Sequence, residues 1–176
     1  NVPITAEFVP QGSKSFEWTP KHDSEVVQVA DPSQVSVGEL AKYQPDLILA
    51  GCLGAKSRYD KLAEIAPTIP VLVKGATADT WEKITTTAGE IFGKQQQATE
   101  LVDSTNKKIA DFKSQHPAAM GKTFTFAQVG PTGQVGAINT TEDAAAGLIA
   151  QLGFTLNPKV AEQHKEGSTR SLISAE

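Results

Sequence analysis

The chain is poor in the residues that carry most protein chemistry. It has one cysteine, Cys52, among 176 residues, which excludes an internal disulfide. Cys52 reads as a small buried residue at a strand end. A nucleophilic role would want a His or Lys base beside it, and His22, His116 and His164 are all distant in sequence. Three scattered histidines also argue against a direct metal site, which needs several His, Cys or carboxylate groups to converge. No HExxH, Gly-x-Ser-x-Gly, CxxC or nucleotide glycine fingerprint occurs, so no enzymatic constellation is legible. No apolar run approaches the ~20 residues that span a bilayer. A basic excess is missing too: the net charge is −4, which argues against a nucleic-acid partner. The first residues carry no signal-peptide pattern, so a secreted protein would be mature or trimmed at Asn1.

What is present is organised around Leu40–Val73 (LAKYQPDLILAGCLGAKSRYDKLAEIAPTIPVLV). Asp46–Ala50 and Pro70–Val73 are short apolar runs bounded by Gly, Pro or charge. Such runs read as buried strands of a parallel sheet, covered on both faces. Between them Tyr59–Ala66 places Leu62, Ile65 and Ala66 at helical spacing. Strand, loop, helix and strand make a βαβ unit with a right-handed crossover. The loop Gly51–Arg58 then lies at the carboxyl end of the first strand, where open α/β sheets bind ligands.

The rest of the chain continues this α/β pattern. Pro3–Val9 and Glu25–Val29 read as strands, with the polar loop Pro10–Ser24 between them. Ser36–Tyr43 reads as a helix with a capping box, Ser36 and Glu39. Thr77–Phe92 reads as a helix with Trp81, Ile84, Ala88 and Ile91 inward, and Gly93 interrupts it. Lys94–His116 reads as a longer helix with Ala98, Leu101, Val102, Ile109 and Phe112 on one face, ended by Pro117. Its length would be about 35 Å at 1.5 Å per residue. Lys122–Val129 alternates as a strand, and Gly130–Gly136 (GPTGQVG) turns into Val135–Ile138. No Gly-Lys-Ser/Thr follows those glycines, so a hairpin fits better than a phosphate loop. Thr140 or Thr141 caps a helix through Leu152, with Ala145, Leu148, Ile149 and Leu152 inward and Gly153 at its C′ position. Leu172–Ile173 begins another strand. A chain of this size buries roughly 70% of its unfolded surface, enough for one large or two small cores.

LAKYQPDLILAG followed by YDKLAEIAPTIPV, then Trp81, IFGKQQQA and SLISAE, resembles the substrate-binding proteins of ABC importers for ferric siderophores. The same family serves haem and cobalamin importers. The resemblance covers nearly the whole chain. It implies an α/β fold of two lobes with parallel-type sheets joined by a single long helix: a partial lobe over 1–93, a connecting helix over 94–117 and a second partial lobe over 118–176. It also implies that the chain is truncated at both ends, and that the link is rigid with small closure on binding.

The family reading gives a function without catalysis or a resident cofactor: capture of a ferric siderophore outside the cytoplasmic membrane, as a periplasmic protein or cell-surface lipoprotein, and delivery to an ABC permease. A complete protein would be a monomer, whereas a fragment would associate. Such a ligand is bulky, often anionic, and recognised through its oxygens and faces rather than its iron. Candidate ligand-binding residues lie in strand-end loops: Lys14, Trp18, Arg58, Tyr59 and Arg170. Phe16, Lys56, Ser57, Gln128 and Asn139 stand in similar places. Each has a plainer reading. Trp18 could cap the core of its lobe, Arg58 could pair with Asp60 or Glu64, Tyr59 could face inward on its helix, and Lys14 and Lys56 could be solvated. Trp81 reads as core, and Glu176 is a candidate for permease docking. Two alternatives stay open. One is a haem or cobalamin carrier, in which Tyr59 could be an axial ligand. The other is a flavodoxin-like enzyme, for which PQGSKS offers only one glycine.

Overall fold

The computed structural model describes residues 4–12, 21–30, 35–51, 56–73, 78–129, 133–166 and 168–173, with Pro10, Lys56 and Ser57 described by their backbone alone. The chain divides into two compact units, Asn1–Leu72 and Val73–Glu176.

In the first unit, β1 (Ala6–Pro10) and β2 (Glu25–Val29) pair in parallel from Ala6↔Glu25 to Pro10↔Val29. Helix α1 (Val37–Ala41) starts where expected: the Ser36 hydroxyl accepts from the Glu39 N–H at 3.1 Å. Tyr43 follows it and packs edge-on against Phe8 of β1, with ring centroids 5.6 Å apart. The βαβ unit is present as β3 (Ile48–Ala50), α2 (Lys56–Ala63) and β4 (Thr68–Pro70), with β3 and β4 parallel. Ile48, Ala50, Leu62 and Ala66 form its core, with Leu40 and Ile65 packed against them.

The boundaries differ from the sequence reading. The ladder opens with the Ile48 N–H donating to Pro67 O at 2.9 Å, so β4 starts at Thr68 and not at Pro70. Pro70 then ends it, because proline brings no N–H to a ladder. Leu72 and Val73 fall beyond it and are exposed. Nor is β3 covered on both faces within this unit: Ile48 and Ala50 are buried, but Leu49 is 67% exposed.

In the second unit, α3 (Trp81–Ile91) is capped by Thr80, whose hydroxyl accepts from the Lys83 N–H. Residues 78–80 are not helical, so the helix starts later than Thr77. Gly93, in the left-handed region at φ +63°, turns the chain into α4 (Gln95–Gln115). The two helices approach closely at one point: a Cβ on Gly89 would lie 2.5 Å from the Ala98 Cβ. Burial follows that contact, so Gly89 and Ala98 are buried, while Ile84 and Ile91 are exposed. Leu101 is 56% exposed rather than inward. Helix α4 is continuous, about 31 Å long at 1.5 Å per residue, and gives way to a 3-10 turn at Pro117–Ala119. Phe112 near its end meets Phe154 at 6.4 Å.

The alternating run Lys122–Val129 is two strands in different sheets. β5 (Thr123–Phe124) pairs in parallel with β8 (Thr155–Leu156). β6 (Ala127–Val129) forms the expected hairpin with β7 (Val135–Ile138), and β7 pairs with β9 (Arg170–Ile173). The β6-β7-β9 sheet is antiparallel, so the parallel expectation holds for β1–β2, β3–β4 and β5–β8 alone. Helix α5 (Ala144–Gln151) is capped by Asp143 rather than Thr140 or Thr141; its Oδ1 accepts from the Ala145 and Ala146 N–H groups at 2.9 and 3.3 Å. Ala146 is its buried residue and Leu148 is exposed. Gly153 takes φ +97° at the C′ position, and a Cβ there would fall on the Met120 thioether. A short α6 (Pro158–Ala161), capped by Asn157, precedes β9.

Candidate functional site

Two arginines of the expected set are described, one in each unit. Arg58 sits on α2, just beyond the carboxyl end of β3, and is half-buried. Its Nη2 donates to the Val35 carbonyl oxygen. Its Nη1 is shielded from solvent and has no hydrogen-bond partner among the described residues. The reading as a partner of Asp60 or Glu64 is not what the structure has: among the described residues Arg58 makes no ion pair with either. A guanidinium held by a neutral carbonyl keeps its full charge and a spare donor, which is the state that receives an anionic oxygen. Tyr59, next on the helix, is 39% exposed, so it is not an inward core residue.

Arg170 opens β9 with an exposed side chain, and its Nη1 donates to Gln128 Oε1 on β6 at 3.2 Å. This joins two residues that stand 42 positions apart in sequence. Asn139, expected in the same ligand-facing group, is instead structural. It is buried, its Nδ2 donates to Ser171 Oγ at 2.7 Å, and its Oδ1 meets His164 Nδ1 at 3.2 Å. Lys14, Phe16, Trp18 and Cys52 lie outside the described residues, as do the side chains of Lys56 and Ser57 and all of Glu176.

The second unit also carries a groove that sequence reasoning missed. Trp81, Glu82, Thr141, Gly147, Leu148 and Gln151 line it. The Trp81 Nε1–H points to Gln151 Oε1 at 3.4 Å, and Gln151 Nε2 donates to Glu82 Oε1 at 2.7 Å. Trp81 is therefore not a plain core residue; it ties the start of α3 to the end of α5. Burial pushes the Glu82 carboxyl up, but hydrogen bonds from its own backbone N–H, Gln151 and Thr80 outweigh this, so its pKa lies below the ordinary value. In the first unit the Tyr43 hydroxyl is raised, by desolvation first and then by Glu25 and Glu39. Among the described residues no three His, Cys, Asp or Glu side chains converge as a metal site, and no helix is long and apolar enough to cross a membrane.

The sequence matches the family described as periplasmic binding protein over residues 4–176. The chain belongs to that family. Among curated relatives, it is 32% identical over 133 residues to the ferric enterobactin-binding periplasmic protein FepB of Escherichia coli O6:H1, covering 73% of this chain and 39% of that protein. It is 32% identical over 125 residues to the iron(3+)-hydroxamate-binding protein YxeB of Bacillus subtilis, covering 70% of this chain and 37% of that one. The chain thus spans less than half the length of these periplasmic binding protein relatives. A solved structure with the same fold is Streptococcus pneumoniae PiaA in complex with ferrichrome, with a TM-score of 0.67 and 24% identity over 87% of this chain and 52% of that one. Helices and parallel strand pairs in this periplasmic binding protein chain accord with that two-lobed architecture.

Proposed function

We propose that this chain belongs to the extracytoplasmic substrate-binding component of an ABC importer, which captures a ferric siderophore and hands it to a membrane permease. The observation that carries this reading is the cargo of its relatives. FepB is named for ferric enterobactin and YxeB for iron(3+)-hydroxamate, and PiaA was solved with ferrichrome. The family is one of binding proteins, which accords with a mechanism of capture and delivery rather than catalysis. Arg58 and Arg170 support it chemically, since both hold guanidinium groups on neutral partners with donors to spare. In this reading Trp18, Lys14 and Tyr59 line the ligand's faces and oxygens. The protein works outside the cytoplasmic membrane, as a periplasmic protein or an anchored lipoprotein. The connecting role falls to the helix within 94–117. Titration of the purified protein with ferric siderophores, followed by tryptophan fluorescence, tests it; saturable quenching is expected, and no response to any of them would refute it.

A haem cargo is the second reading, and the exposure of Tyr59 favours it, because a phenol oxygen can serve as an axial ligand. A Soret band on adding haemin, lost in Tyr59→Phe, would replace the first reading with this one.

A further inference from the structure

The groove between the start of α3 and α5 holds a charge that the protein leaves unanswered. Its volume is about 390 Å³, within the range of small-molecule sites. At its α3 end a chain of hydrogen bonds runs in one direction. The Trp81 indole N–H can only donate, and Gln151 meets it with its carbonyl Oε1. Gln151 then turns its amide Nε2 to Glu82, whose Oε1 accepts. The Gln151 amide is thus fixed from both sides, and the chain ends on a carboxylate. The other oxygen, Glu82 Oε2, is shielded from solvent and has no hydrogen-bond partner among the described residues. Nor does any cation among them form an ion pair with Glu82.

An acceptor kept from water without a donor is costly, and more so when it is ionised. Glu82 is ionised at neutral pH. It stands in the first turn of α3, at the positive end of the helix dipole, and its pKa lies below the ordinary value. What the groove lacks is a positive donor, and the form of the deficit selects the chemistry. Gln151 already occupies Oε1, so a guanidinium has no free pair of oxygens for its two-pronged fork. A primary ammonium is a compact point charge and needs only one acceptor. Ala144, Leu148 and Ala150 give the groove an apolar wall for a short stem. Trp81 lines it too, and an indole face attracts cations. The shielded oxygen suits a single slender head rather than a broad docking surface. We propose that this groove binds a small molecule carrying a primary ammonium on a short apolar stem, with its head on Glu82 Oε2. The inference stands on the groove alone and does not depend on the siderophore reading.

The test is a titration of the purified protein with n-butylammonium, followed by proton–nitrogen NMR at the Trp81 indole N–H. The chain has two tryptophans, and loss of one indole signal in Trp81→Phe assigns the other variant-free spectrum. Three further probes keep the stem and change the head: n-butylguanidinium, n-butanol and butyrate. Butylammonium is expected to shift the Trp81 signal saturably and to bind on the order of tenfold tighter than butylguanidinium or butanol. Its margin over butanol should narrow as salt rises, and butyrate should leave the signal in place. Glu82→Gln should remove the margin over butanol. Thermal unfolding checks that this variant folds, and the ranking of the four probes on the parent protein decides the matter even if it does not. Butanol bound as tightly as butylammonium, a margin untouched by Glu82→Gln, or no response to any probe would overturn the proposal. A lysine tripeptide, acetyl-Ala-Lys-Ala-amide, bound more tightly than butylammonium would also overturn it, by making the occupant a side chain of a protein partner.

Discussion

Single residues here act through what they are not paired with. Arg58 has a shielded Nη1 with no partner among the described residues, and a buried donor left so costs stability unless something completes it. If the ligand completes it, Arg58→Ala lowers siderophore affinity by on the order of 1.5–3 kcal/mol, read from the dissociation constant. An unchanged constant would take Arg58 out of the site. Glu82 is a mixed case: its Oε1 accepts from Gln151 Nε2 at 2.7 Å, while its Oε2 is shielded and has no hydrogen-bond partner among the described residues. Its folded pKa lies below the ordinary 4.5. A carboxyl of that kind adds stability above its unfolded pKa, and the contribution is lost as pH falls through the folded value. Glu82→Gln should therefore be less stable than the parent at neutral pH, with the gap closing as the pH falls below 4.5 and through the lower folded pKa of Glu82, in chemical denaturation across pH. A gap that does not depend on pH would contradict the carboxylate's role. Neither contact was legible in the sequence, because Gln151 and Glu82 are 69 positions apart and Val35 and Arg58 are 23 apart.

Elements were legible where local chemistry ends them. Gly93, Pro117 and Gly153 mark boundaries that the structure has, and Ser36 caps α1 as read. They were illegible where a distant strand decides. The alternation of Lys122–Val129 is strand-like throughout, yet β8 takes its first part and β7 the rest. The cap of α5 was misread for another reason: Thr140, Thr141 and Asp143 all suit the role, and Asp143 wins because its Oδ1 reaches two N–H groups. The buried stripes of α3 and α4 were misplaced because small residues, not large ones, set their contact. Gly89→Ala should force the helices apart and cost about 1–3 kcal/mol in denaturant unfolding, and adding Ala98→Gly should recover part of it. Full additivity of the pair would show that the two residues do not meet. Helix α4 should lose roughly 3 kcal/mol or more with Asn106→Pro at its exposed middle. If α4 also spaces two lobes, ligand affinity falls with it; intact affinity in the folded variant would end that role.

At the scale of the molecule, the described sheets are small. Three of the four have two strands, and the fourth has three. Such sheets leave many strand edges open to another chain. Leu49, Val129 and Leu172 add exposed apolar surface on β3, β6 and β9. The 176-residue chain alone is expected to associate as its concentration rises, seen as a growing weight-average mass in sedimentation equilibrium. A constant monomer mass across the range would show that those edges are protected. Net charge of −4 opposes this association weakly, since salt at physiological strength screens it beyond about 8 Å.

The chain has one methionine, and the fold places it against Gly153, where only a hydrogen fits. That choice makes the corner after α5 a point of oxidative wear. Peroxide converts a thioether to a sulfoxide, adding a polar oxygen to the sulfur. Beside Gly153 there is no room for even a methyl carbon, so the oxygen must push Met120 out or open the corner between α5 and β8. The service life of the fold in an oxidising setting would then depend on repair of this single side chain.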